Sequence, residues 1–227
     1  MAPGAPLRAV GEAAASLVEE GSRVGLGTGR AAAAFVRALG DRVRGGLRVV
    51  GVPTSEATRA LAQSLGIPLA ALEDVGELDL TVDGADEVDP RLDLVKGLGG
   101  ALVREKIVAA SSRRLVIVVG EEKIVERLGV RTPVPVEIVP FGRALSERRV
   151  RALGGEPKLR AADGSPYRSD NGNQVLDCKF AGIDDPAALD AALRAIPGVV
   201  GTGLFVGMAE RVLVERDGAV RTLERRT

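Results

Sequence analysis

Short apolar runs alternate with alanine-rich amphipathic stretches through the first half of this chain, and that alternation restricts the fold more than any other feature. A helix is expected over Leu7 to Glu20, then a strand over Arg23-Val-Gly-Leu-Gly27 and a turn at Thr28-Gly29. Ala31 to Leu39 is rich in the strongest helix former. A second strand is expected over Leu47 to Val52, closed by Pro53. Thr54-Ser55-Glu56 has the form of a helix N-cap, opening a helix to about Leu65. Ile67 to Ala70 and Leu78 to Val82 read as further strands, the latter ending at Asp83. Ala101 to Ala110 reads as a helix and Arg114 to Val119 as a buried strand. Strands and helices in this order imply an α/β fold, a mostly parallel sheet covered on both faces.

The pattern changes near residue 130. Thr132-Pro-Val-Pro-Val136 carries two prolines, as a linker or edge strand would. After it come strand 134–139, helix 143–153, strands 156–160 and 174–179, helix 186–195 and strand 199–205. That β-α-β-β-α-β order is the split βαβ arrangement of a ferredoxin-like α+β domain. Val212 to Leu223, with Asp217-Gly218 between apolar runs, reads as a hairpin. The expected division is 1–130 with 206–227 as one domain and 131–205 as a second.

Lys+Arg and Asp+Glu are both 31, so the formal net charge is zero, which argues against a nucleic-acid partner. Aromatics are only 2%, too few for base stacking to drive binding. No apolar run reaches membrane-spanning length, and Met1 to Pro6 lacks the basic start of a signal peptide. With one cysteine, Cys178, and no histidine, disulfides and the usual zinc sites are not expected. A soluble, cytoplasmic protein without a metal is the expectation, and Cys178 is expected to be a small buried apolar residue. The missing histidine also means that proton transfer near neutral pH falls to carboxylates, lysines or Tyr167.

Three segments carry the chemistry. Gly25-Leu-Gly-Thr-Gly29 lies between a strand and a helix, where backbone amides can point at an anion. Thr28 adds a hydroxyl and Arg30 a charge. A dinucleotide site is disfavoured by the glycine spacing, while a phosphate cradle and a plain tight turn both fit. Asp83-Gly-Ala-Asp-Glu87 follows a buried strand, where ligands bind open α/β sheets. Its carboxylates suit sugar hydroxyls, a metal or proton transfer, and equally a self-bonded turn. Lys96-Gly-Leu-Gly-Gly100 adds an ammonium and several amides, a natural oxyanion clamp, and Glu105 on the next helix adds a base. Ser169-Asp-Asn-Gly-Asn173 reads as a hairpin turn with Asn and Gly at positive φ.

Together these segments resemble ribose-5-phosphate isomerase, type A. The resemblance rests on Val24-Gly-Leu-Gly-Thr-Gly29, Pro53-Thr-Ser-Glu-Ala57, Asp83 to Glu87, Lys96 to Gly100, Arg104-Glu-Lys106 and Pro133-Val-Pro-Val-Glu-Ile-Val-Pro140. Ser169 to Asn173, Leu176-Asp177 and Ile196-Pro-Gly-Val-Val200 complete it, in family order over nearly the whole chain. It implies interconversion of D-ribose 5-phosphate and D-ribulose 5-phosphate without metal or cofactor. It implies a Rossmann-like doubly wound sheet with an inserted ferredoxin-like domain, as a homodimer or a dimer of dimers. Glu105 matches the family's proton acceptor. Asp83, Gly84, Ala85 and Asp86, with Lys96, Gly97, Leu98, Gly99 and Lys123, match substrate-binding positions, the acids and Lys96 also taking part in the chemistry. The phosphate loop matches Thr28 and Gly29 but departs at Arg30 and Ala31, where the family has Ser and Thr. Leu7 and Arg8 stand where the family often carries a lysine. Rival expectations are a sugar-phosphate sensor without catalysis and an amino-sugar phosphate deaminase.

Overall fold

The computed structural model describes residues 7–225; Met1 to Pro6, where the absence of a signal peptide was expected, lie outside them. The chain divides into two compact units. One comprises the described residues up to Ala85, Arg104–Lys123 and those from Met208 onward. The other is Asp86–Val103 with Ile124–Gly207.

The first unit is built on a six-stranded sheet. In spatial order its strands are Ala219–Glu224, Arg211–Arg216, Leu115–Gly120, Leu80–Asp83, Arg23–Leu26 and Val50–Pro53. The last five are mutually parallel, and Ala219–Glu224 closes the sheet as an antiparallel hairpin strand. Pro53, which cannot donate to a ladder, is tolerated because its strand lies at the edge. Leu115–Gly120 is buried at every position, as a central strand covered on both faces must be. The helices Arg8–Ser16 and Arg30–Arg44 press Val10, Ala14, Phe35, Val36 and Leu39 onto Val24, Leu26 and Leu80. Each of the larger side chains contributes ~1.5–3 kcal/mol by burial. The Arg8–Ser16 helix has no side-chain cap of its own; the Glu215 carboxylate accepts the Val10 N–H at 2.8 Å from the neighbouring strand. The expected strand at Ile67–Ala70 is reduced to a single parallel bridge, Gly51 to Leu69.

The second unit contains a four-stranded antiparallel sheet and the helices Arg143–Ala152 and Pro186–Arg194. Along the chain its strands are Val134–Ile138, Glu156–Leu159, Gln174–Lys179 and Val199–Thr202. In space they run fourth, first, third, second, the split βαβ order. Val134, Val136, Ile138, Leu176 and Cys178 pack with Val150 and Leu193 beneath the helices. Cys178 is fully buried, and burial pushes its thiol up to about 12. The strand expected over 199–205 breaks at Gly203. Its N–H donates to Pro135 O at 2.7 Å, while its carbonyl accepts the Lys96 N–H at 2.8 Å. Leu204–Phe205 thereby leaves the four-stranded sheet and joins Leu94–Val95 and Glu87–Val88 in a three-stranded one. Glu87 is fully buried, and its carboxylate accepts the amides of Gly129, Arg131 and Thr132 at 2.6–2.7 Å, which fixes the segment entering the domain.

Candidate active site

The strand order reverses at Arg23–Leu26: the chain runs next to Val50–Pro53 on one side and then to Leu80–Asp83 on the other. The carboxyl ends of strands at such a switch point open a crevice where ligands bind. Thr28 follows the first of these strands, Asp83 ends its neighbour, and Lys123 closes the 3₁₀ turn Glu121–Lys123 after the next.

Asp83 is 1% exposed, and its Oδ1 accepts the N–H groups of Thr28 at 3.0 Å and Gly84 at 2.8 Å. The fit is close: a Cβ on Gly27 would stand 2.2 Å from Oδ1, so only glycine lets the two strand ends meet. This carboxylate therefore ties the Thr28 loop to the Asp83 loop.

The Thr28 hydroxyl, expected to bind an anion, is enclosed by other hydroxyls. Its Oγ1 lies 2.7 Å from Thr54 Oγ1 and 3.2 Å from Thr58 Oγ1, and donates to Ser55 Oγ at 2.8 Å. Thr54 and Thr58 donate in turn to the carbonyls of Leu26 and Gly27 at the strand end. Ser55 caps its helix through the Thr58 N–H, as its position predicts. The Thr28 hydroxyl is thus engaged within the protein. The Arg30–Arg44 helix begins at Gly29, at φ +105°, without a side-chain cap, so its first amides face outward from the helix start. Arg30 is exposed there, and it lines a cavity of about 1180 Å³ with Leu7, Arg8, Arg37, Glu121 and Glu215. None of the other candidate residues lines that cavity.

Glu105 lies in the first turn of the Leu102–Ala110 helix and is 3% exposed. Its neighbour Arg104 donates to Glu56 Oε1 at 2.9 Å. That bond, before all else, holds the Glu56 carboxyl below its usual range. The helix end carrying Glu105 is thereby tied to the helix that supplies the hydroxyl cluster.

Within the second unit the candidate residues form a second group. Lys96 is 2% exposed, its Nζ 5.2 Å from the centroid of the Phe205 ring, a cation–π distance. Asp86 Oδ2 accepts the Leu98 N–H at 3.0 Å, which links the two motifs that were separate in sequence. Gly97 and Gly100 have φ of +100° and +86°, and the Gly100 N–H closes back on Gly97 O at 2.9 Å. Both bends need glycine. The Ser169–Asn173 turn has Gly172 at φ +80° and closes around the buried Glu137. Glu137 Oε1 accepts from Ser169 Oγ, Asn171 Nδ2 and Asn173 Nδ2 at 2.9–3.0 Å.

Residues that sequence reasoning did not single out include Thr58, whose hydroxyl completes the cluster, and Arg160, which donates to the carbonyls of Gly97 and Leu98. Among the described residues no group of three His, Cys, Asp or Glu side chains is placed to hold a metal ion. No helix among the described residues is long and apolar enough to cross a membrane.

Residues 50–218 match the family model described as Ribose 5-phosphate isomerase A (phosphoriboisomerase A). A ribose-5-phosphate isomerase A of Roseiflexus castenholzii is 53% identical over 220 residues, 96% of this chain and 94% of that protein. One of Gloeobacter violaceus is also 53% identical, covering 92% of each. Among solved structures, ribose 5-phosphate isomerase A from Methanocaldococcus jannaschii superposes with a TM-score of 0.92 at 40% identity, covering 96% of this chain and 97% of that one. A D-ribose-5-phosphate isomerase in complex with phospho-erythronic acid superposes with a TM-score of 0.94 at 38% identity and the same coverage.

Proposed function

This chain belongs to the ribose 5-phosphate isomerase A family, and we propose that its interconversion of D-ribose 5-phosphate and D-ribulose 5-phosphate is carried by Glu105, Asp83, Asp86 and Lys96. Glu105 takes the C2 proton of the open aldehyde and returns it to C1. Between these steps a cis-enediolate places negative charge on oxygen. Lys96 and the amides of its loop meet that charge; a strong donor at such a position is worth on the order of 3–4 kcal/mol. The Leu98 amide is occupied by Asp86 and that of Gly100 by Gly97 O, so the loop's contribution falls to Gly97 and Gly99. Asp83 and Asp86, with Gly84 and Ala85, hold sugar hydroxyls, and an acid of this pair moves the oxygen-bound proton. The phosphate is held by the backbone amides from Gly29 to Ala31 at the helix start, with Arg30 and Lys123 supplying charge, while the Thr28 N–H stays on Asp83. The Thr28 side chain acts indirectly, by holding that backbone in place.

The observation that supports this reading most is the superposition, over 96% of the chain, on an isomerase holding phospho-erythronic acid, whose planar carboxylate resembles the enediolate. We also propose that the chain works in the cytoplasm as a homodimer. Phe141 is fully exposed two positions from the exposed Val139, an apolar surface suited to a second copy. The deciding assay follows ribose 5-phosphate conversion to ketose in the presence of EDTA. The Glu105→Gln variant is expected to lose most of kcat while keeping substrate affinity. Near-normal turnover in that variant would remove Glu105 from the mechanism, and no conversion by the native protein would favour a sensor.

A further inference from the structure

The Lys96–Gly100 loop presents two carbonyls to one guanidinium. Arg160 Nη1 donates to Gly97 O at 3.1 Å and to Leu98 O at 3.0 Å. The rest of the fork is locked: Nε and Nη2 donate to the two oxygens of Asp177, at 3.0 and 2.5 Å. The guanidinium carbon stands 5.6 Å from the centroid of the Tyr167 ring, and the same tyrosine abuts Gly100, where a Cβ would lie 2.0 Å from its hydroxyl oxygen. The Arg160 side chain is only 12% exposed. The arrangement follows from sheet register. Leu159 pairs with Leu176, so Arg160 falls opposite Val175, donating its N–H to that carbonyl at 2.9 Å. Asp177 is then its diagonal neighbour on the same face.

A trans peptide points its C=O and N–H in opposite directions. With the Gly97 carbonyl turned to Arg160, the Leu98 N–H must face away, and it meets Asp86 Oδ2 at 3.0 Å. With the Leu98 carbonyl also turned to Arg160, the Gly99 N–H faces away too. We infer that Arg160 is a positioning residue for the isomerisation: it sets the direction of the loop's peptide dipoles, and through them the Asp86 carboxylate and the Gly99 amide. This inference rests on the assignment of Asp86 and the Lys96 loop to the substrate. Arginine is required because its planar fork bridges a carboxylate and two carbonyls at once, whereas a lysine ammonium is a point donor.

The test compares Arg160→Lys and Arg160→Ala with the native enzyme in kcat, KM, melting temperature and the Kd of 4-phospho-erythronate. Arg160→Lys keeps a cation beside Asp177 and supplies a folded variant if Arg160→Ala is unstable. A misplaced loop is expected to lower kcat about 10²-fold, as an ångström-scale error in positioning does. The Kd of 4-phospho-erythronate should rise by a similar factor, because that ligand reports binding of the enediolate rather than of the substrate. KM should change far less. Millimolar guanidinium should restore turnover to Arg160→Ala saturably, and methylammonium should not. Native kcat in a folded Arg160→Lys, or a loss of kcat with unchanged affinity for 4-phospho-erythronate, overturns the inference. Lys96→Met is run alongside. If it too keeps native turnover, the loop's assignment fails; if it is inactive while the Arg160 variants are normal, only the positioning role fails.

Discussion

Thr28→Val tests whether the loop after the first strand binds phosphate through a side chain or through its backbone. The substitution keeps the shape of the residue and replaces a hydroxyl with a methyl. Thr54 and Thr58 are 0% and 6% exposed, so water cannot replace what is lost. The donor bond to Ser55 Oγ at 2.8 Å disappears, and Thr54 Oγ1 gains an apolar neighbour at what was a 2.7 Å contact. One lost hydrogen bond plus one poorly satisfied buried hydroxyl costs about 2 kcal/mol. For a protein of this size that is a fall in melting temperature of about 4–8 °C. A threonine hydroxyl that bound phosphate directly would behave differently. Losing a bond to a charged group, worth ~1.5–3 kcal/mol, would raise KM about 10- to 100-fold and leave the apoprotein's stability nearly unchanged. Differential scanning calorimetry and steady-state kinetics on Thr28→Val and Thr28→Ser separate the two. The structure requires that Val lowers the melting temperature with a modest change in KM, and that Ser restores it. An unchanged melting temperature with KM raised tenfold or more would refute the enclosed-hydroxyl account and return Thr28 to direct phosphate contact.

Two further outcomes are expected. Phe141→Ser should shift the protein toward monomer in light scattering after gel filtration, with turnover per folded chain as the control, and an unchanged dimer mass would move the interface elsewhere. Asp79 and Glu210 titrate below their ordinary values, Asp79 chiefly through the Arg23 N–H and Glu210 chiefly through the Arg114 side chain. A depressed folded value means that their stabilisation is full above the unfolded carboxylate range near ~4 and is lost as the pH falls through the folded values. Melting temperature should therefore fall as the pH drops below about 4, and Asp79→Asn with Glu210→Gln should flatten that limb; an unaltered limb would assign acid lability to other groups.

How much of this was legible in the sequence depends on whether the governing interaction is local. The strand from Arg23, the turn at Thr28-Gly29, the helix expected over Ala31 to Leu39 and the cap within Thr54-Ser55-Glu56 rest on nearest neighbours and are found where residue type puts them, although the helix runs on to Arg44. The three-stranded sheet is different. Glu87–Val88 and Leu94–Val95 are two-residue strands with no period to detect, and their partner, Leu204–Phe205, lies more than a hundred positions away. A break at Gly203 becomes visible only when both of its backbone groups find partners in different sheets. The candidate site shows the same rule at the level of chemistry. Asp83, Asp86, Lys96 and Glu105 stand out because acids, a lysine and glycines are crowded into one stretch. The three hydroxyls that enclose Thr28 come from Thr54, Ser55 and Thr58, and nothing near Thr28 announces them. Arg160 is harder still, since the chain uses arginine freely and the residue directly follows an ordinary strand. Its role is created by register: a shift of one residue between Glu156–Leu159 and Gln174–Lys179 would turn Arg160 to the opposite face, away from Asp177 and from both loop carbonyls. The Gln174–Lys179 strand holds that register with Leu176 and Cys178 in the core of the second unit. The packing of an apolar core thus sets the direction of the peptide dipoles in the Lys96 loop, which is why an overpacked or cavity-forming change at Leu176 is expected to reach the loop through Arg160.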